Sequence, residues 1–379
     1  MKTTLGWIDR IHARLDGLLA SARFRRWAAA FPLTRPIARR RSRALFDLCA
    51  GFVYSQVLLA CVRLRVFEIL AEGPQTIDVL AQRLALSRES AIRLLDAAVS
   101  LQLLVRRGRE RYALGTLGAT LVGNAPVLSM IEHHALLYGD LRDPVDLLRK
   151  GGGQGELAQY WSYAGTAEPA NLPSQRVANY SALMTASQPL VADEVLDAYP
   201  LTNHRCLLDV GGGEGTFLGA VAAKVPALKL MLFDLPAVAD RARTALGKWG
   251  NRASAHGGSF LSDALPLGAD VVSLVRVLHD HDDDAVRTIL RAVRSALPPD
   301  GVLLVAEPMA GTPGAEAMGD AYFGFYLLAM GSGRARTAER LRELLLECGF
   351  DGGRQIATRL PIQTRLIVAK IKSAVKTRG

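Results

Sequence analysis

The sequence predicts an α/β fold with a parallel sheet in its C-terminal part and a mainly helical N-terminal part. Two observations predict it. From about residue 204 short apolar runs alternate with amphipathic ones, and the first run ends in a cluster of glycines where a helix begins. Before that point, from residue 46 to about 190, the apolar spacing is helical. A chain of 379 residues, half of them hydrophobic, is long enough for two folded domains.

The elements follow in order. Residues 1–45 hold Lys2 and ten arginines against Asp9 and Asp16, so they carry +9 of the formal +10. Trp7, Ile8, Ile11, Leu15, Leu18 and Leu19 share one helical face, and Phe24, Trp27 and Phe31 are interleaved with Arg23, Arg25 and Arg26. A basic amphipathic arm of this kind fits an anionic membrane surface or packing on a partner subunit. Nucleic acid is not expected, because no stacking platform or base-reading motif accompanies the charge. The most apolar stretch, LCAGFVYSQVLLACV (48–62), reads as a buried helix, and no run of 18 uninterrupted apolar residues marks a membrane span. TIDVLAQRLALS (76–87) and RESAIRLLDAAVSLQLL (88–104) read as two helices, and VRRGRERYAL (105–114) as a hairpin. That is a winged-helix outline. Its second helix offers mostly Ala, Leu, Val and Ser, which suits dimer packing better than reading base edges. A loop rich in Gly and Pro (151–155 and 168–174) leads towards a boundary near 190/191. Cys49, Cys61, Cys206 and Cys348 lack metal-ligand or disulfide spacing, so a reduced, cytoplasmic chain is expected.

Beyond residue 204, RCLLDV, LKLMLFDL, ADVVSLVRVL, GVLLVAEP and RLIVAKI are strands, while FLGAVAAKVP and ERLRELLLECGF are helices. LLDVGGGEGTF (207–217) sets Gly211 and Gly213 in the first strand-to-helix turn, where ligands bind in open α/β sheets. Asp209 precedes the glycines, and Asp234 ends the next strand, where a carboxylate can accept hydrogen bonds from ribose hydroxyls. No P-loop lysine follows, and Phe217 replaces the last glycine of a dinucleotide fingerprint. A nucleoside cofactor without a pyrophosphate fits best. S-adenosylmethionine (SAM) is the candidate, its ammonium drawn towards Asp209 and its ribose towards Asp234.

In LLDVGGGEG, LMLFDLP, GGSF, RVLHD, LLVAEP and GSGRART the chain resembles the class I SAM-dependent O-methyltransferases of the caffeate and hydroxyindole type. The likeness covers nearly the whole chain. It implies a C-terminal Rossmann-like SAM-methyltransferase domain (191–379) behind a winged-helix-like dimerisation domain (46–190) and the basic arm (1–45), working as a homodimer. It implies cofactor contacts from Gly211 and Asp234, with Gly213 and Leu235 beside them, Ser259 and Phe260 near the adenine, and Arg276 near the place of a basic residue. RFRRWAAAFPLTRPIARRRSRALFDLCAGFVYSQ (23–56) and GDAYFGFYLLAMGSGRART (319–337) are most similar to the hydroxyneurosporene and demethylspheroidene O-methyltransferases of carotenoid synthesis. The acceptor implied is an acyclic carotenoid bearing a tertiary hydroxyl. Phenolic or tetrapyrrole acceptors, or a winged-helix DNA-binding regulator, are the alternatives.

His279 follows the third strand in VLHDHDDD (277–284), where a base can face the cofactor, and Glu307 at the end of the fourth can orient its ring. The resemblance assigns the same two roles. His279 and His281 could instead suggest a metal site, but ligands for one ion usually converge from separated segments, so no metal is expected. Asp282 reads as a helix cap, with Asp283 and Asp284 favouring the helix start. Ala335 stands where phenol-methylating relatives carry a second glutamate, so fewer carboxylates are expected around His279. Met318, Tyr322, Tyr326 and Met330 recur every four residues, a stripe that could line an apolar acceptor or simply fill a core. Met130, His134 and Met184 would close the other wall, and Ser187 or Gln188 would approach the cofactor.

Overall fold

Helices open the chain: α1 (Trp7–Ala20), α2 (Ala22–Ala30), α3 (Arg35–Arg63) and α4 (Val66–Ala71). Ser21 caps α2 by accepting from the Phe24 amide at 3.4 Å. The expected wing follows as β1 (Gln75–Thr76), α5 (Ile77–Arg83), α6 (Arg88–Ser100), β2 (Leu104–Arg107), β3 (Arg111–Leu114) and α7 (Thr116–Ala119), with the strands antiparallel in the order β1-β3-β2. Thr76 and Ser87 cap α5 and α6, which is why two short helices start where they do. The computed structural model describes residues 7–161 and 174–372, and only the backbone of 174–182. The Gly/Pro loop expected at 168–174 therefore lies, but for Ser174, outside the described residues, as does Lys2.

The stretch 48–62 is helical, as expected, but most of it is not buried. Only Leu59, Cys61 and Val62 of α3 are enclosed, whereas Leu48 is 82% and Phe52 70% exposed. Leu45, Phe46, Leu48, Phe52 and Val53 make an apolar surface that the chain by itself leaves open. By length and composition α3 could cross a membrane, and it is the one such helix among the described residues. Counting only uninterrupted apolar residues missed it, because Ser55 and Gln56 break the run.

The second unit begins at Asn124, not near 190. It comprises α8 (Ala125–Asp140), α9 (Pro144–Lys150), α10 (Glu156–Tyr160), α11 (Ser174–Ala198), β4 (Cys206–Val210), α12 (Thr216–Lys224), β5 (Lys229–Asp234), α13 (Pro236–Leu246), β6 (Ala253–Gly257), β7 (Val271–Val275), α14 (Asp283–Ala296), β8 (Val302–Glu307), α15 (Gly324–Met330), α16 (Ala338–Glu347), β9 (Arg354–Ile356) and β10 (Arg365–Lys370). The boundary moves because α8, α10 and α11 pack with α15 and α13. Leu137, Leu157, Trp161 and Leu183 share one core with Tyr326, Leu327 and Met330.

The sheet runs β6-β5-β4-β7-β8-β10-β9, parallel from β6 to β8, with β10 antiparallel between β8 and β9. Alternation along β4 places Leu208 and Val210 on one face with α14 and α16, and Leu207 on the other with α12 and α13. Val286, Ile289, Leu290 and Val293 of α14 are all buried, at helical spacing. Each such side chain contributes about 1.5–3 kcal/mol of burial. The chain order reverses beside β4, between β5 and β7, which opens a crevice at the carboxyl ends of the strands.

Candidate active site

The glycine turn after β4 borders that crevice. Gly211 has φ +70°, and a Cβ there would approach the Val277 side chain to 2.8 Å, so both its conformation and its space require glycine. Its amide donates to the Phe233 carbonyl at 2.8 Å, pinning the turn to β5. Asp234 accepts from the Gly213 amide at 2.8 Å and from the Leu235 amide at 2.7 Å. Burial outweighs those two bonds and raises its carboxyl to about 6.

A cavity of about 430 Å³ opens here, lined by the glycine turn, Asp234, Leu235, Ser259, Phe260, Arg276 and Met184. The expected cofactor residues meet there, except one. Asp209 does not line the cavity. It lies 1% exposed beneath the turn, where Ser273 donates to one oxygen at 2.6 Å, and burial raises it to about 7. The reason is register: Asp209 on β4 faces Ser273 on β7, inside the sheet. Glu214, Thr185, His281 and Asp282 line the cavity without having been assigned to it. Glu214 accepts from Arg241 Nε at 2.6 Å, a partner 27 residues away that no local pattern reveals. The Phe260 and His281 rings meet edge to face at 5.4 Å on the same wall. Size, apolar flanks, a carboxylate at the end of β5 and a glycine turn that permits close approach all fit a nucleoside cofactor such as SAM.

Arg276 is held in the left-handed region (φ +59°), costly for a side chain with a Cβ. Its amide donates to the Ala306 carbonyl at 2.8 Å, while its guanidinium reaches Ser187 Oγ at 2.7 Å and Met184 Sδ at 3.6 Å. The strained backbone thereby aims a cation across the cavity at α11. Gln188, also considered for the cofactor, lines the same wall.

His279 sits in a short 3₁₀ turn (Leu278–Asp280) just beyond β7 and is 7% exposed. Its Nδ1 donates to Glu307 Oε2 at 2.6 Å, and Glu307 Oε1 accepts the Val277 and Leu278 amides at 2.9 and 2.6 Å. One buried carboxylate thus fixes both the turn and the ring. The other nitrogen, Nε2, lies 3.2 Å from Asp280 Oδ1. Burial alone would lower the His279 pKa, but the Asp280 and Glu307 charges and the Glu307 hydrogen bond raise it above the ordinary value. Asp280 supports the ring from its own turn, beside Glu307 on the other nitrogen.

His281 lines the cavity, whereas His279 faces Glu307. Asp282 stands at the N-cap of α14, but its side chain makes no capping bond. Asp283 does more than favour the helix start. Burial opposes its ionisation, but Arg340 (2.7 Å) and Arg336 (2.8 Å) pull its carboxyl down to about 2. Arg336, 4% exposed, also donates to the Leu278 and His281 carbonyls at 2.7 and 2.6 Å, clamping both ends of the histidine turn. Nothing local to GSGRART marks this role, because the partners of Arg336 lie 53, 58 and 55 residues away.

The aromatic stripe divides. A π-helical turn (Met318–Phe323) precedes α15, so residues spaced by four do not share one face. Tyr326 is buried, its hydroxyl accepting from Trp161 Nε1 at 2.7 Å and pairing with His133 Nε2 at 2.7 Å, and Met330 is 1% exposed. Both belong to the core, correcting their expected place on the acceptor wall. Tyr322 is half-buried, pairs with His134 Nε2 at 2.7 Å and lies 3.9 Å from Met130 Sδ. Met318 is half-buried at the start of the π turn. Phe323 links this group to His279, its ring 5.0 Å from Tyr322 and 5.7 Å from His279.

A seven-stranded Rossmann-like sheet with this nucleoside cavity and a carboxylate-held histidine defines a SAM-dependent methyltransferase. The chain belongs to the O-methyltransferase family: the O-methyltransferase domain matches residues 138–351, and the O-methyltransferase dimerisation domain matches residues 46–124. It is 46% identical over 345 residues to the demethylspheroidene O-methyltransferase of Cereibacter sphaeroides, covering 90% of each chain. It is 41% identical to the protein of that name from Rhodobacter capsulatus, covering 89% of this chain and 84% of that one. Among solved structures it is similar to human N-acetylserotonin methyltransferase in complex with SAM, with TM-score 0.72, 26% identity, and coverage of 88% and 98% of the two chains.

Proposed function

We propose that this enzyme methylates the tertiary hydroxyl of an acyclic hydroxycarotenoid, converting a 1-hydroxy into a 1-methoxy group. The His279–Glu307 contact at 2.6 Å, at the carboxyl ends of β7 and β8, carries this reading. Two relatives named for demethylspheroidene, each similar over most of its length, support the acceptor class. SAM, when bound, would supply a sulfonium methyl group that the acceptor oxygen attacks, the S–CH3 bond breaking as the O–CH3 bond forms and S-adenosylhomocysteine departing. Asp234, Leu235 and the backbone at Gly211 and Gly213 hold its nucleoside, and Ser259, Phe260 and Arg276 border it. Asp209 lies beneath the turn, bonded to Ser273 of β7.

His279 takes the hydroxyl proton on Nε2 as the new C–O bond forms, while Glu307 keeps Nδ1 protonated and the ring aimed. An aliphatic alcohol is a far weaker acid than a phenol, so its proton leaves during or after methyl transfer. Alignment then supplies much of the rate. Met130, Met184, Met318, Tyr322 and Phe323 line the acceptor's path. The protein works as a homodimer through residues 46–124, which the exposed apolar side of α3 supports. It meets its acceptor at an anionic membrane surface through residues 1–45, on the cytoplasmic side.

Methylation with labelled SAM, offering a hydroxylated acyclic carotenoid and a catechol in parallel, tests the acceptor. Label is expected in the carotenoid; label in the catechol alone would overturn the assignment in favour of a phenolic acceptor.

A further inference from the structure

The arm's geometry says how that membrane contact is made. The apolar residues of α1 occupy an arc of about 120° at 100° per residue, and Trp7, Ile8 and Leu15 on it are each at least half exposed. At α2, Trp27 and Phe31 stack at 5.2 Å and Phe24 stands 5.6 Å from Trp27, with Arg23 just before Phe24 and Arg25 and Arg26 between Phe24 and Trp27. The joints are tied. Arg25 donates to the Leu19 and Ala20 carbonyls at 3.1 and 2.6 Å, closing the end of α1, and Arg35 donates to the Ala30 carbonyl at 2.7 Å, closing the end of α2.

We propose that α1 and α2 lie together in the plane of an anionic lipid bilayer, their apolar arcs at the acyl boundary and their arginines among the headgroups. Neither spans. The 14 residues of α1 reach about 21 Å against a hydrocarbon core of about 30 Å. The apolar helix α3 does not span either, because Leu59, Cys61 and Val62 at its end are enclosed in the first unit's own core, where α3 packs on α6.

Charge selects the occupant. Outside the arm the chain carries a net of only +1, so a second copy offers no surplus of acid to meet +9, and two facing arms repel. Nucleic acid would satisfy the arginines but leave the apolar arcs in water. Anionic lipid satisfies both.

This inference deepens the membrane contact proposed above and rests on it, but not on the identity of the acceptor. Full-length protein is floated with vesicles of phosphatidylcholine alone or mixed with phosphatidylglycerol. Binding to the mixed vesicles is expected to be at least about tenfold tighter, to weaken at high salt, and to shift Trp27 fluorescence to the blue. The double variant Ile11→Glu, Leu15→Glu should abolish flotation while SAM affinity stays unchanged, and Arg23→Gln with Arg26→Gln should weaken flotation. Equal flotation by the first variant, equal binding to neutral vesicles, or tighter binding to duplex DNA would overturn the proposal. So would a dimer that dissociates in the first variant while vesicle binding persists. Vesicle binding without carotenoid methylation leaves the proposal standing and removes only the acceptor assignment.

Discussion

Two pairs of histidine contacts within the same unit are set in opposite ways. His279 has a carboxylate at each ring nitrogen, Glu307 at 2.6 Å and Asp280 at 3.2 Å, and its pKa is raised. His133 and His134, adjacent on α8, each meet a tyrosine hydroxyl at 2.7 Å instead. Burial lowers both, His133 to about 4 with some help from His134. All three rings are substantially enclosed, so burial alone does not explain the contrast. The neighbours decide which imidazole holds a proton more readily than usual and which less.

The contrast breaks most completely with His279→Ala. Turnover should fall by about 10²–10⁴, with SAM affinity unchanged by titration calorimetry. Unaltered turnover would leave alignment alone as the mechanism. Arg336→Ala comes next, since it strips a buried cation from Asp283 and from both carbonyls of the histidine turn. A loss of about 3 kcal/mol in urea unfolding is expected, as for a broken buried pair. Arg336→Lys should restore only part of it, because a single ammonium cannot span the three acceptors.

On the neutral side, Tyr326→Phe leaves Trp161 Nε1 and His133 without that hydroxyl. Stability should drop by about 1–3 kcal/mol, while the pH dependence of kcat/KM stays where it was. A moved profile would mean that His133 joins the proton transfer after all.

The smallest effect sharpens the side where the pKa is raised. Because the His279 pKa is raised, the free base appears only as pH climbs through that raised value, so kcat/KM should fall on the acid side. Asp280→Asn removes one of the two raising charges, and the acid limb should move to lower pH. Activity relative to the unaltered enzyme then rises under acidic conditions. An unmoved limb would mean that Asp280 does not hold the proton.

The sheet was legible because its central strands are buried on both faces and write themselves as LLDV, LMLF, VVSLV and LLVAE. The edge strand β6, ASAHG, is half polar and carries no such signal. The glycine turn and Asp234 were legible because both are local to strand ends. Arg336 was not, since its value lies in carbonyls about 55 residues away. The stripe from Met318 to Met330 misled for a related reason. A π turn changes which residues share a face, and no residue in MGDAYF announces one.

The left-handed backbone at Arg276 bears on engineering this enzyme for heat. A glycine there would relieve about 1–2 kcal/mol of strain, and Arg276→Gly should raise the midpoint of thermal unfolding if the chain loses little rigidity elsewhere. It would also cut the tie from β7 to Ser187 and Met184, so SAM should leave faster in a stopped-flow chase. Hardiness and the tie between β7 and α11 are traded at a single torsion angle.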